Sequence, residues 1–391
     1  MYSPEAWVLR SGAVTGPHDG GLGGALQRDL FTFGPLEEGE ALVEPILGSW
    51  EANVDHALAR SPIDVCSSRG EDTVVVGNMG VVRVLKVNAG SRRDVQVREG
   101  DLCLLMPFGK LDRFGYAELA YAYDAPDTIG LLAKRSKMDV RVLLPIPDGT
   151  VYSLPQWATY GRYFTAWDNW QKAYGCWRTQ VTDDDPANHL VFGWGGGVAF
   201  AELMLAKRAG FRVAMTAGSD ERVAFLRENG ITAVDRRRFP DLSLPTRQER
   251  TDRERHQRRR KAVEEFLGVV RDLSDGHGVA IFVDNIGQPL YDVTLTALAR
   301  AGVVTTCGWK AGMRLSHLRG AESISRHIHV NTHVWRLQDS PGIRDFQEAE
   351  GWIAPKGADV IYEFDQVPEL ADDYANGRIG SYFPMYRVNP L

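Results

Sequence analysis

The sequence has little of what would place it outside the ordinary globular class. Its 391 residues include only four cysteines, Cys66, Cys103, Cys176 and Cys307, far apart and with no Cys-x-x-Cys pair. That spacing gives neither a disulfide framework nor a local zinc cluster, and it predicts reduced, structural thiols. Nowhere do about 18 apolar residues run together, and Met1 to Gly12 has no basic segment followed by an apolar stretch. These two absences predict a cytoplasmic chain that is neither secreted nor membrane-spanning. There is no excess of positive charge either: 45 Lys and Arg against 51 Asp and Glu leave a net charge of −6. That balance disfavours nucleic acid or an anionic membrane as the main partner. No internal repeat and no low-complexity tail is found.

What is present is a globular composition, 44% apolar and 25% charged, at a length that suggests two domains. The first 150 residues hold short β-branched runs divided by Gly, Pro, Asp and Asn, namely Glu44 to Leu47, Thr73 to Val76, Val81 to Val87, Leu102 to Met106 and Val140 to Leu144. From about Leu190 the rhythm becomes strand, turn, helix, which is the sequence form of βαβ units and a parallel sheet. Leu190 to Phe192 reads as a strand, Gly193 to Gly197 as a glycine turn, and Val198 to Ala209 as a helix stopped by Gly210. Arg212 to Ala217 is the second strand and Asp220 to Asn229 its helix. Ile231 to Val234, Ala280 to Val283 and Val303 to Thr306 complete five strands, with a helical stretch at Leu290 to Arg300. The predicted class is α/β, a doubly wound Rossmann sheet beside a β-rich domain.

The glycine turn carries the chemistry. Gly195, Gly196 and Gly197 follow a strand and, with Val198, open a helix, so the backbone can approach a diphosphate and free N–H groups face its charge. The alternative is a turn needed only for strand–helix packing. At the end of the second strand, where an acid would hold a ribose 2′-hydroxyl, the sequence reads Thr216, Ala217, Gly218 and Ser219, followed by Arg222. A hydroxyl and a nearby cation suit a 2′-phosphate, so NADPH is favoured over NADH. Arg222 could equally be an exposed helix residue. Residues 236–261 carry eleven basic and four acidic side chains, which read as a solvated face or, alternatively, as a docking surface for a phosphate-bearing ligand.

These motifs resemble the medium-chain dehydrogenase/reductase superfamily. Ala6 to Leu9 is similar to its opening strand. Gly80 to Val84 and Val97 to Asp101 resemble its barrel signatures, and Gly196-Gly197-Val198-Ala199 its Gly-Gly-Val-Gly turn. Ile281 to Gly287, Gly302 to Gly308 and Asn331-Thr332-His333 are similar to stretches of crotonyl-CoA carboxylase/reductase-like enoyl reductases. The resemblance implies a GroES-like catalytic domain over 1–155, completed by 336–391. It implies an NADPH-binding Rossmann domain over 156–335, with the Arg-rich segment 236–261 as an insertion. It further implies a homodimer acting on a small molecule, free or carried by coenzyme A or a carrier protein. The zinc branch of the superfamily needs a Cys and His ligand set that is missing here, so no metal is implied. The Glu that helps carboxylating members bind carbon dioxide falls at or next to Lys110, so the expectation is hydride transfer to an activated C=C bond followed by protonation, without carboxylation. A zinc-independent carbonyl reductase and a non-catalytic nucleotide-binding relative that touches RNA remain as alternatives.

Three residues are candidates for contact with substrate. His333 can donate or accept a proton near neutral pH, although a lone His among Ile328, Val330 and Val334 also fits a core. Lys110 could stabilise an enolate oxygen or be an exposed loop lysine. Tyr116 could be a proton donor or a packing residue. The loop Thr306, Cys307 and Gly308, at the carboxyl end of a parallel strand, is placed to present backbone groups to a nicotinamide amide. Eight aromatics between Trp157 and Trp177, spaced by threes and fours, read as one packed helix face that could also wall a bulky substrate pocket.

Overall fold

A computed structural model describes residues 1–12, 21–90, 96–307, 319–332 and 335–391. The chain divides into two compact units, Met1–Phe164 with Trp335–Leu391, and Thr165–Val334.

The first unit is built mainly on antiparallel strands, with Asp359–Glu363 running parallel to Phe383–Arg387. Its largest sheet runs Leu143–Pro145, Leu102–Leu105, Gly80–Asn88, Glu40–Ser49, Phe383–Arg387, Asp359–Glu363, with Ser136–Asp139 pairing off the path on Glu40–Ser49. Alternating residues put Val82 and Val84 into the core from one strand, paired with Pro45 and Val43 of its neighbour. The C-terminal segment belongs here because Met385 pairs with Ser49 and Arg387 with Leu47. The run read as a single strand from Val140 instead begins with a 3-10 turn, Val140–Val142, because the Asp139 carboxylate accepts the N–H of Arg141.

The second unit holds a six-stranded parallel sheet, one strand more than the sequence suggested. We number its strands β1 (Leu190–Trp194), β2 (Arg212–Ala217), β3 (Thr232–Asp235), β4 (Val279–Asp284), β5 (Leu298–Thr306) and β6 (His329–Thr332). Their spatial order is 3-2-1-4-5-6, the doubly wound arrangement. The helices are α1 (Tyr160–Gln180), α2 (Gly197–Arg208), α3 (Asp220–Glu228), α4 (Arg253–Leu273) and α5 (Tyr291–Ala297). β1 and β4 are buried along their whole length, as near-continuous apolar runs in a parallel sheet must be. The stretch read as helix to Arg300 stops at Ala297, since β5 starts at Leu298 and Ala301 takes a left-handed φ of 59°.

The boundary between the units falls inside α1. Its aromatic residues serve two cores rather than one face. Tyr163 packs on Trp352 with ring centres 4.8 Å apart, and the Tyr160 hydroxyl donates to the Ser340 carbonyl at 2.8 Å, both within the first unit. Trp170, Tyr174 and Trp177 gather round Phe211 in the second, Trp177 at 4.9 Å.

The Arg-rich run is not wholly solvated. It forms a 3-10 turn at Arg236–Arg238 and then enters α4, whose Arg255 is buried and donates to the carbonyls of Asp241 and Ser243. Arg258 and Arg259 pair with Asp241 and Asp292, and Arg238 lies 3.6 Å from Glu265. Among the described residues no helix is long and apolar enough to cross a membrane.

Candidate functional site

Strand order reverses between β1 and β4, because the chain leaves β1 toward β2 on one side and returns to β4 on the other. The carboxyl ends of these strands therefore flank the crevice where doubly wound sheets bind nucleotides. Gly195 opens that crevice. Its φ of 146° is one that side chains rarely adopt, and a Cβ there would lie 2.9 Å from the Cβ of Asn285 on the facing strand end. Gly196 is the N-cap of α2 and has nothing within 4 Å of where its Cβ would be. No side chain caps α2, and its first turn contains no acid. The N–H groups at this helix start are thus left for solvent or for an anion, which the helix dipole also favours.

The facing turn is held from below. The buried Asp284 carboxylate accepts the N–H of Ile286 at 3.0 Å, that of Gly287 at 2.9 Å and the Thr294 hydroxyl at 2.7 Å. Burial raises the Asp284 pKa, and these bonds work against that shift. The next residue, Asn285, uses Oδ1 to accept the backbone N–H of Cys307 at 3.1 Å and its thiol at 3.3 Å. Its Nδ2 is buried with no hydrogen-bond partner among the described residues. Gly195, Asn285 and Cys307 are thereby brought together across the ends of β1, β4 and β5. Thr306 ends β5 and is nearly buried. Gly308 and His333 lie outside the described residues.

The end of β2 is organised differently. Ser219 caps α3, its hydroxyl oxygen accepting the N–H of Arg222 at 3.3 Å. The same hydroxyl, after the residue's own backbone N–H, holds the Glu221 carboxyl below its usual pKa. Arg222 itself is half-buried in the first turns of α3. A Cβ on Gly218 would stand 2.7 Å from Cζ and Nη2 of Arg236, which follows β3. Reading the sequence missed Asn285 and Arg236 as site residues. The signal for Arg236 was available in the register, since Ala217 pairs with Asp235 and the next residues are Gly218 and Arg236.

Lys110 and Tyr116 belong to the first unit, beside the hairpin Phe108–Leu111 and Ala117–Ala120. The Lys110 ammonium is exposed and paired with Glu118 at 2.6 Å. Tyr116 donates its N–H to Asp112 at 2.9 Å and bridges to Arg336. Among the described residues no three His, Cys, Asp or Glu side chains are grouped so as to hold a metal. Cys103, whose thiol burial pushes up to about 12, is a poor source of thiolate.

Residues 197–355 match the family model for zinc-binding dehydrogenases. No curated protein sequence matches the chain. Among solved structures, the crotonyl-CoA carboxylase/reductase AntE in complex with NADP superposes with a TM-score of 0.75 at 19% identity, covering 98% of this chain and 94% of its own. The 2-octenoyl-CoA carboxylase reductase CinF with NADP and 2-octenoyl-CoA gives 0.76 at 17% identity, over 100% and 89%. An alcohol dehydrogenase from Aeropyrum pernix gives 0.73 at 16% identity, over 98% and 99%.

Proposed function

We propose, for a chain that has the medium-chain dehydrogenase/reductase fold and matches the zinc-binding dehydrogenase family over residues 197–355, that it is an NADPH-dependent oxidoreductase reducing an activated C=C bond of an enoyl thioester or enone. One observation carries the nucleotide part of the reading: the uncapped, acid-free start of α2 meets a glycine turn at the point where strand order reverses. Three features fit the cofactor. The missing side chain at Gly195 leaves room beside Asn285, Gly196 faces open space, and the N–H groups at the start of α2 have no side-chain cap among the described residues.

In this reading Gly195, Gly196, Gly197 and Val198 hold the diphosphate through backbone N–H groups. Thr306 and Cys307, with Gly308 next in sequence, would serve the nicotinamide end, with Asn285 fixing the Cys307 backbone as a positioning residue. When bound, the nicotinamide supplies the hydride. The chain's own tasks are then to orient the acceptor carbon, to donate to its carbonyl oxygen and to protonate the α-carbon. His333, Lys110 and Tyr116 are the candidates for the last two. Lys110 already has a carboxylate partner in Glu118, which tempers its charge.

Carbonyl reduction is the second reading, favoured by the dehydrogenase family match over 197–355. An RNA-touching role is weakened by the pairing of Arg238, Arg255, Arg258 and Arg259 with acids. The test is nucleotide consumption by the purified chain with enoyl thioesters, enones, ketones and aldehydes, with and without bicarbonate, and product mass. Saturation of the enoyl compound by two hydrogens, independent of bicarbonate, is expected. Turnover of carbonyl compounds alone would establish the second reading, and failure to bind either reduced nucleotide would end both.

A further inference from the structure

Three consecutive arginines follow β3, and they differ in what they touch. Arg237 is held by Asp235 and Asp220, and those bonds raise its pKa while the Asp235 carboxyl is pulled down to about 2. Arg238 faces Glu265. Arg236 is exposed and has no carboxylate partner among the described residues. Its guanidinium lies against the bare backbone of Gly218, at the edge where β2 ends. Ser219, one residue on, is engaged with the start of α3 and with Glu221.

We infer that Arg236, seated over Gly218, is the residue that recognises the ribose 2′-phosphate and so selects NADPH over NADH. This rests on the cofactor reading above. The guanidinium is a planar fork of donors that suits a phosphate dianion, and among the described residues it is not taken up by a carboxylate. Arg237 makes the edge tolerant of that dianion by neutralising Asp235 and Asp220. Gly218 is part of the device, since any side chain there would push the fork away. Glu221 is the acid that stays close, and its charge limits the affinity gained.

Calorimetric titration of the full chain with NADPH, NADH, adenosine 2′,5′-bisphosphate and adenosine 5′-monophosphate tests this without turnover. Arg236→Gln is expected to weaken NADPH and the bisphosphate by about 10- to 100-fold, leaving NADH within about twofold. Gly218→Ala, which keeps every charge, should lower NADPH affinity part of the way. The assignment is overturned if Arg236→Gln leaves the NADPH to NADH ratio intact, or if Arg222→Gln carries the loss instead. If the unaltered chain binds neither nucleotide, or prefers NADH, the cofactor reading falls and takes this assignment with it.

Discussion

The segments β1–α2 and β2–α3 share one plan, strand, tight turn and helix, yet the two helix starts solve their shared problem in opposite ways. Each leaves the first backbone N–H groups of its helix without intrahelical partners. At α3 the chain satisfies them itself, with Ser219 as cap and Asp220 and Glu221 in the first turn. At α2 it supplies no side-chain acceptor and no acid, and places Gly196 at the N-cap. The second contrast lies inside the helices. α2 buries an acid, Glu202, against the neutral Asn169, whose Nδ2 donates to Oε2 at 3.0 Å, whereas the acids of α3 are exposed. A helix that gives up local stabilisation at its start and holds an acid in its core is organised around something other than its own stability.

The largest expected effect comes from Glu202. Burial raises its pKa from 4.5 to about 8, with the Asn169 bond working in the other direction. In the unfolded chain the proton leaves near the ordinary value, while the folded chain keeps it. The contribution of Glu202 to the unfolding free energy is therefore fully present below about pH 4.5 and falls by about 1.4 kcal/mol per pH unit until the folded group titrates. Glu202→Gln keeps an amide in place of the neutral acid and should remove that part of the slope in urea unfolding between about pH 5 and 8. An unchanged slope in the variant would erase this half of the contrast. At α3 the sign is opposite: Glu221 is held below its usual value, so its contribution is present above the ordinary carboxylate range and is lost on acidification.

Next in size is an exchange of the two helix starts. Gly196 has a negative φ and open space around its Cβ position, so Gly196→Asp can cap α2 as Ser219 caps α3. Stability should rise by about 0.3–1 kcal/mol in thermal or urea unfolding. Nucleotide affinity should fall on the order of 100-fold, because the new carboxylate sits where a diphosphate would. Unaltered affinity together with raised stability would mean that the start of α2 is merely uncapped.

The sheet and the glycine turn were legible because both rest on local signals: apolar runs, a glycine cluster, and helix stops at Gly210 and Gly230. β6 gave no such signal, since His329–Thr332 is a largely exposed, mixed strand that, among the described residues, pairs with β5 alone. Glu202 was not singled out, although it is a lone acid among Phe200, Ala201, Leu203 and Leu205, and its partner Asn169 comes from another helix, where no spacing reveals it. Arg236 was hidden inside a charge run, where only strand register separates one arginine from its neighbours. Asn285 was visible as part of a resembling stretch, yet its bond to Cys307 depends on two strand ends meeting in space.

The smallest effect settles what Ser219 is for. The sequence suggested that its hydroxyl donates to a 2′-phosphate, whereas in the fold that hydroxyl serves the start of α3. Those two roles predict different losses for Ser219→Ala. As a cap it should cost about 0.5–2 kcal/mol of stability and leave NADPH affinity within a small factor. As a phosphate donor it should weaken NADPH but not NADH, with the melting curve little moved. Measuring both quantities on one preparation, beside Arg236→Gln, separates a residue that finishes a helix from one that reads a ligand.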